Sequence, residues 1–104
     1  LAEPFLRDAG FPMEKFPAVR AAILGHMYDK EPDGPEAVVM HDADALDFLG
    51  ALGSARLLAA TGEGVDYDLA LRRIERFAVD IPPRLKTEAA RQMAPERVAV
   101  MTDF

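Results

Sequence analysis

The apolar positions of this chain fall into stretches with helical spacing, and no run shows the clean alternation of a strand. Residues 1–9 are helix-compatible and end at Gly10, a residue suited to a helix C-terminus. Phe11-Pro12 opens a second helix, expected to run to about Tyr28 with Phe16, Val19, Ile23 and Met27 as its core stripe. Residues 29–34 form a polar connector containing Pro32 and an Asp-Gly turn signal. Pro35 then starts a long helix, from about Glu36 to Ala60, whose apolar side chains point in nearly every direction, as in a buried central helix. Gly50 and Gly53 lie inside it at a cost of about 1 kcal/mol each relative to Ala, which makes sense where another helix approaches closely. Residues 61–65 read as a loop. Asp66 or Asp68 is placed to cap the next helix, with Tyr67, Leu71, Ile74, Ala78 and Ile81 as its stripe and Pro82-Pro83 as its end. A last helix begins near Thr87 and carries Met93, Val100, Met101 and Phe104. Pro95 inside it is expected to kink or split it, since an interior proline costs about 3 kcal/mol. The expected class is all-α, one small domain.

Bulk properties narrow the function. Half of the 104 residues are hydrophobic, enough for a packed core. The formal charge of −6 argues against a nucleic-acid backbone as partner, because such proteins present a basic face. Acidic substrates stay open, since a bound metal inverts the local field. The absence of cysteine excludes disulfides, zinc–thiolate sites and cysteine nucleophiles. No apolar run is long enough to span a bilayer and no signal peptide is visible, so no membrane role is expected and the cytoplasm is the default compartment. Homo-oligomerisation is left open. The first residues read as the end of a helix and the last as the middle of an amphipathic pattern, so the domain is expected to continue beyond both ends.

The chemistry concentrates at residues 42–47, Asp-Ala-Asp-Ala-Leu-Asp, three carboxylates in an apolar stretch. An unpaired buried carboxylate is costly, so something should compensate for them, and a metal ion is the leading candidate. On a helix Asp44 and Asp47 share a face with Met40, Ala51 and Leu58, and Asp42 points to the opposite side. Two carboxylates on one stripe suit a hard divalent cation bound through oxygen. The bland alternative is that the acids cap helix ends or pair with Arg20, Arg56 or Arg97. His41 lies one turn before Asp44. His26 sits at the edge of its helix's stripe, where an antiparallel return brings it towards Asp42 or Asp44 as a ligand or proton shuttle; a structural histidine is the plainer reading. Asp42-Ala-Asp44 is not a calcium loop, because Asp47 and Gly53 stand where Gly and Glu are needed. Residues 37–46 also look like the strand and Asp-x-Asp of haloacid-dehalogenase-type phosphatases, a reading that needs a strand at residues 37–42.

Taken together the segments resemble the HD-domain metal-dependent phosphohydrolases. The resemblance is carried by Gly10-Phe11-Pro12, by Ala22-Ile23-Leu24-Gly25-His26, and by residues 42–47 leading into Gly50-Ala51 and Gly53-Ser54-Ala55-Arg56. Thr87, Ala90, Ala94, Arg97, Met101 and Phe104 fit the same pattern, so the likeness spans nearly the whole chain. It implies a helical bundle like the C-terminal part of an HD domain, and hydrolysis of a phosphate ester or phosphoanhydride, of nucleotide type, by a metal-activated water. In that likeness Asp44 is the metal ligand, Asp47 orients a ligand or water, and His26 binds phosphate or shuttles a proton. The metal is a divalent ion: Mn, Mg, Fe, Ni, Co or Zn. The family's first His and its His-Asp doublet would lie upstream of Leu1, because His41-Asp42 is too close to Asp44 to be that doublet. The chain alone is therefore expected to be inactive. A non-catalytic helical binding module on the same scaffold is the alternative.

Overall fold

The computed structural model describes residues 2–62, 64 and 66–103. Leu1, Glu63, Val65 and Phe104, placed by the sequence pattern in the first helix, the 61–65 loop and the last helix, lie outside the described residues. The architecture is all-helical, with no β-strand among the described residues. No helix there is long and apolar enough to cross a membrane.

The first helix, α1 (Ala2–Asp8), stops where expected. Gly10 adopts φ +78°, and its N–H and that of Phe11 donate back to the carbonyls of Arg7 (3.1 Å) and Leu6 (2.9 Å), closing the helix end. A 3-10 turn (Met13–Lys15) leads into α2 (Phe16–Leu24), which ends four residues short of the expected Tyr28. Glycine at the C-cap is what lets the chain turn back there. Gly25 is buried, and a Cβ there would lie 3.0 Å from the Cα of Pro32, so the connector folds back over the helix end. Only part of the expected stripe is covered: Phe16 and Val19 are half-buried, while Ile23 and Met27 are exposed.

The expected single helix from Glu36 to Ala60 is two helices, α3 (Pro35–Asp47) and α4 (Gly50–Ala59). Leu49 is extended (φ −94°, ψ 150°) and Gly50 takes φ +86°, a left-handed conformation that favours glycine. A Cβ on Gly50 would meet the Cβ and Cγ of Arg97 at 3.4 Å, and one on Gly53 would run into the carbonyl of Phe48. Gly50 does admit another helix closely. Gly53 instead lets α4 press against the end of α3.

Asp66 caps α5 (Tyr67–Asp80), its Oδ1 accepting the Leu69 N–H at 2.7 Å. Ile74 and Ile81 of the expected stripe are buried, and Tyr67 is exposed. After a second 3-10 turn (Pro82–Arg84), Thr87 caps α6 (Glu88–Thr102). Pro95 does not split this helix. Pro95 and Arg91 are both exposed, so the carbonyl that loses its partner is on the wet side.

The core lies among α3 to α6. Leu46, Leu49, Ile74, Ile81, Leu85 and Met101 pack together, with Phe77 set edge-on against both Phe48 and Tyr28 at 5.4 Å between centroids. α2 packs beside α3, and α1 buries no residue. Replacing Gly53 by Ala forces a side chain into backbone and is expected to destabilise the protein by about 2 kcal/mol or more, the range of an overpacked site. Urea unfolding of Gly53→Ala measures this; an unchanged midpoint would show that α4 reseats freely.

Candidate functional site

The buried face of α3 is formed by Ala37, His41, Asp42, Ala45 and Leu46. The carboxylate that enters the interior is therefore Asp42, 3% exposed, and not the pair Asp44 and Asp47 expected from the apolar stripe. The expected stripe treated the helix as buried all round, whereas Val39 and Met40 are exposed and define an outer side.

Asp42 lies under the start of α6. Its two oxygens accept the Lys86 N–H at 3.0 Å each, and Oδ2 also accepts the Thr87 N–H at 2.6 Å. These are donors at a helix N-terminus, where a negative charge is favoured. His41 Nδ1 donates to Oδ1 at 2.8 Å, and its Nε2 is 3.2 Å from the carbonyl oxygen of Tyr28. Both partners of this fully buried ring are acceptors, so each ring nitrogen faces an oxygen. Burial pushes the Asp42 carboxyl upward, but the bonds from Thr87, Lys86 and His41 outweigh it and hold the carboxyl below its usual 3.8.

The other acids have different fates. Asp47 is exposed and paired with Arg56, Nη1 to Oδ2 at 2.7 Å, while the guanidinium rests 5.6 Å over the Phe48 ring. Such an exposed pair contributes little stability, about 0–1 kcal/mol. Asp44 is half-buried and makes no hydrogen bond or ion pair with the described residues. Capping and pairing thus account for Asp42 and Asp47 but not for Asp44. Arg97 meets no acid among the described residues; its Nη1 donates to the Leu46 carbonyl at 2.7 Å and so closes the end of α3.

His26 is half-buried, and its Nδ1 donates to the Ile23 carbonyl at 2.6 Å, so Nε2 is the ring nitrogen not engaged by that bond. No hydrogen bond joins it to Asp42, Asp44 or Asp47 among the described residues; His41 is the histidine that meets Asp42. The three candidates Asp44, Asp47 and His26 are not brought into one cluster. Among the described residues no group of three or more His, Asp or Glu side chains is arranged to hold a metal ion. Sequence reasoning missed the backbone donors of Lys86 and Thr87 and the Tyr28 carbonyl, because a main-chain donor leaves no residue signature.

Residues 37–42 are helical within α3, so the strand required by the haloacid-dehalogenase-type reading is not formed, and that reading is set aside. No family model, no curated protein and no solved structure matches the chain. The likeness to HD-domain phosphohydrolases rests on the sequence motifs alone.

Asp42→Ala would leave two backbone N–H groups and His41 without their acceptor, and a loss of about 3 kcal/mol is expected. The pH dependence has a definite sign. A carboxyl held below its unfolded value contributes stability that is fully present above about pH 3.8 and lost as pH falls through the lower folded value. Asp42→Asn should flatten that acid limb in unfolding curves taken from pH 6 downward; an unchanged limb would remove Asp42 as its source.

Proposed function

We propose that the chain is part of an HD-type metal-dependent phosphohydrolase and supplies one metal ligand, Asp44. The observation that carries the reading is the division of labour among the three carboxylates. Asp42 is consumed by the start of α6 and Asp47 by Arg56, while Asp44 keeps both oxygens without a partner among the described residues. A half-buried carboxylate on a rigid helix is a suitable hard-oxygen donor for a divalent cation. The motif likeness in residues 10–12, 22–26 and 42–56 points to the same residue.

One oxygen ligand does not make a metal site, so the remaining donors, a His and a His-Asp doublet, belong to residues outside these 104. A divalent ion held there would lower the pKa of a bound water and polarise a phosphoryl oxygen. Asp44 fixes the position of the ion. Asp47, tethered by Arg56, orients a water or a neighbouring ligand rather than binding directly. His26 presents Nε2 for a proton or a phosphate oxygen. The substrate is a small phosphate compound of nucleotide type.

Metal analysis of the full-length protein tests this. Asp44→Ala should remove most of the bound divalent ion and the associated nucleotide hydrolysis, whereas Asp47→Ala, losing only an outer contact, should weaken metal affinity by about 10–100-fold. Equal metal content in wild type and Asp44→Ala would sink the assignment. The 104-residue chain by itself should neither retain metal nor hydrolyse nucleotides, and metal-dependent turnover by that chain would refute the shared-site reading.

A further inference from the structure

The connector between α2 and α3 contains no helix or strand, and its hold on the fold is slender. The Tyr28 ring meets Phe77 edge-on at 5.4 Å, and Arg84 lies 5.8 Å over its face. Lys86 Nζ reaches Glu31 at 3.1 Å, an exposed pair that contributes little. Among the described residues, the main chain of residues 26–33 has one hydrogen-bonding contact with α3: the Tyr28 carbonyl oxygen opposite His41 Nε2 at 3.2 Å.

The other ring nitrogen of His41, Nδ1, lies 2.8 Å from Asp42 Oδ1, and the ring is fully buried, out of reach of water. A carboxylate and a carbonyl oxygen can only accept. A neutral imidazole carries one N–H and an imidazolium two, so one proton cannot serve both contacts and two can. The Asp42 contact is the shorter and ends on a charge, so it keeps the proton when only one remains. The Nε2 lone pair then faces the Tyr28 oxygen, and two unmatched acceptors in the interior are unfavourable.

The surrounding charges are engaged elsewhere or lie in water. On α3, Glu36 is exposed, Asp47 pairs with Arg56, and Asp44 makes no bond to the ring. On α2 the one base, Arg20, is exposed, and Asp29, Lys30 and Asp33 of the connector are exposed as well. Arg76 of α5 pairs with Asp80, and on α6 Glu88 is exposed, Arg91 donates to the Leu85 carbonyl and Arg97 to that of Leu46. We infer that His41 is a proton-operated clasp: with both ring nitrogens protonated it ties the connector to α3 through the Tyr28 carbonyl, and with one proton it keeps Asp42 and lets the connector go. His26 begins the released segment, so its position follows the clasp. The buried ring and its two acceptors carry this, so it stands apart from metal binding by Asp44.

Hydrogen exchange of the full-length protein in metal-free buffer, at about pH 6 and about pH 8.5, brackets the range in which histidine titrates. After correction for the intrinsic exchange rate, amides 26–33 should lose about tenfold in protection at the higher pH, the effect of one net hydrogen bond, while amides of α5 keep theirs. His41→Gln, which does not titrate, should remove this pH dependence. His26→Gln, at the other histidine of these 104 residues, should retain it, with circular dichroism confirming that both variants fold. Side-chain ¹⁵N shifts of the wild-type protein give a reading free of any variant: both His41 nitrogens protonated at the lower pH and Nδ1 alone at the higher. A ring that keeps one protonation state across the range would overturn the inference. So would protection of residues 26–33 that does not change with pH, or a pH dependence that survives His41→Gln or is lost with His26→Gln. None of these outcomes depends on metal, so failure here and failure of the Asp44 assignment are separable.

Discussion

Asp42 lies under the first turn of α6, with two main-chain N–H groups and a buried histidine donating to it. A carboxylate taken out of water is penalised by several kcal/mol unless its lone pairs are filled, and here two of the three donors come from more than forty residues away. The contact therefore sets how deep and at what rotation α3 sits against α6. Rotation then decides everything else on α3. Ala45 and Leu46 face the core, Val39 and Met40 face out, and Asp44 is left at the border between the two. His41 carries the same constraint to the connector through the Tyr28 carbonyl, so one hydrogen-bonded cluster joins the connector after α2, the middle of α3 and the start of α6.

The second constraint is the break at Leu49-Gly50. Without it α3 and α4 would form one rod and could not both pack on α6. The left-handed Gly50 turns the chain, Gly53 lets the new helix touch the carbonyl of Phe48, and Arg97 closes the exposed end of α3. These are backbone contacts at close range, which is why the two glycines and one arginine stand where longer or uncharged side chains would not fit or cap.

The acidic segment shows how function and stability share six residues. One acid orders the fold, one is tied at the surface to Arg56, and one is left over. The leftover is the residue singled out by the HD-domain likeness. Spacing had already separated Asp42 from Asp44 and Asp47, because helical periodicity assigns directions. What spacing could not supply was which direction is inward, and it placed the inward side wrongly. His26 and His41 were likewise told apart by contacts and not by pattern: each is a histidine near a helix stripe, and only packing put His41 on Asp42.

Local signals in the chain were sufficient for the helices themselves. Gly10 at one helix end, Asp66 and Thr87 at two helix starts and Pro82-Pro83 at a third boundary all act through their own or neighbouring backbone, so their effect is readable from adjacent residues. The all-α class follows from the same short-range information. The end of α2 at Gly25, the division of α3 from α4 and the burial of Asp42 depend instead on what each segment meets across the fold, and α6 runs on through Pro95 because the fold leaves that side of it in water. Periodicity records how apolar residues are distributed around a helix. The partner that satisfies a buried charge, or the backbone that forces a turn, is brought there only by tertiary packing.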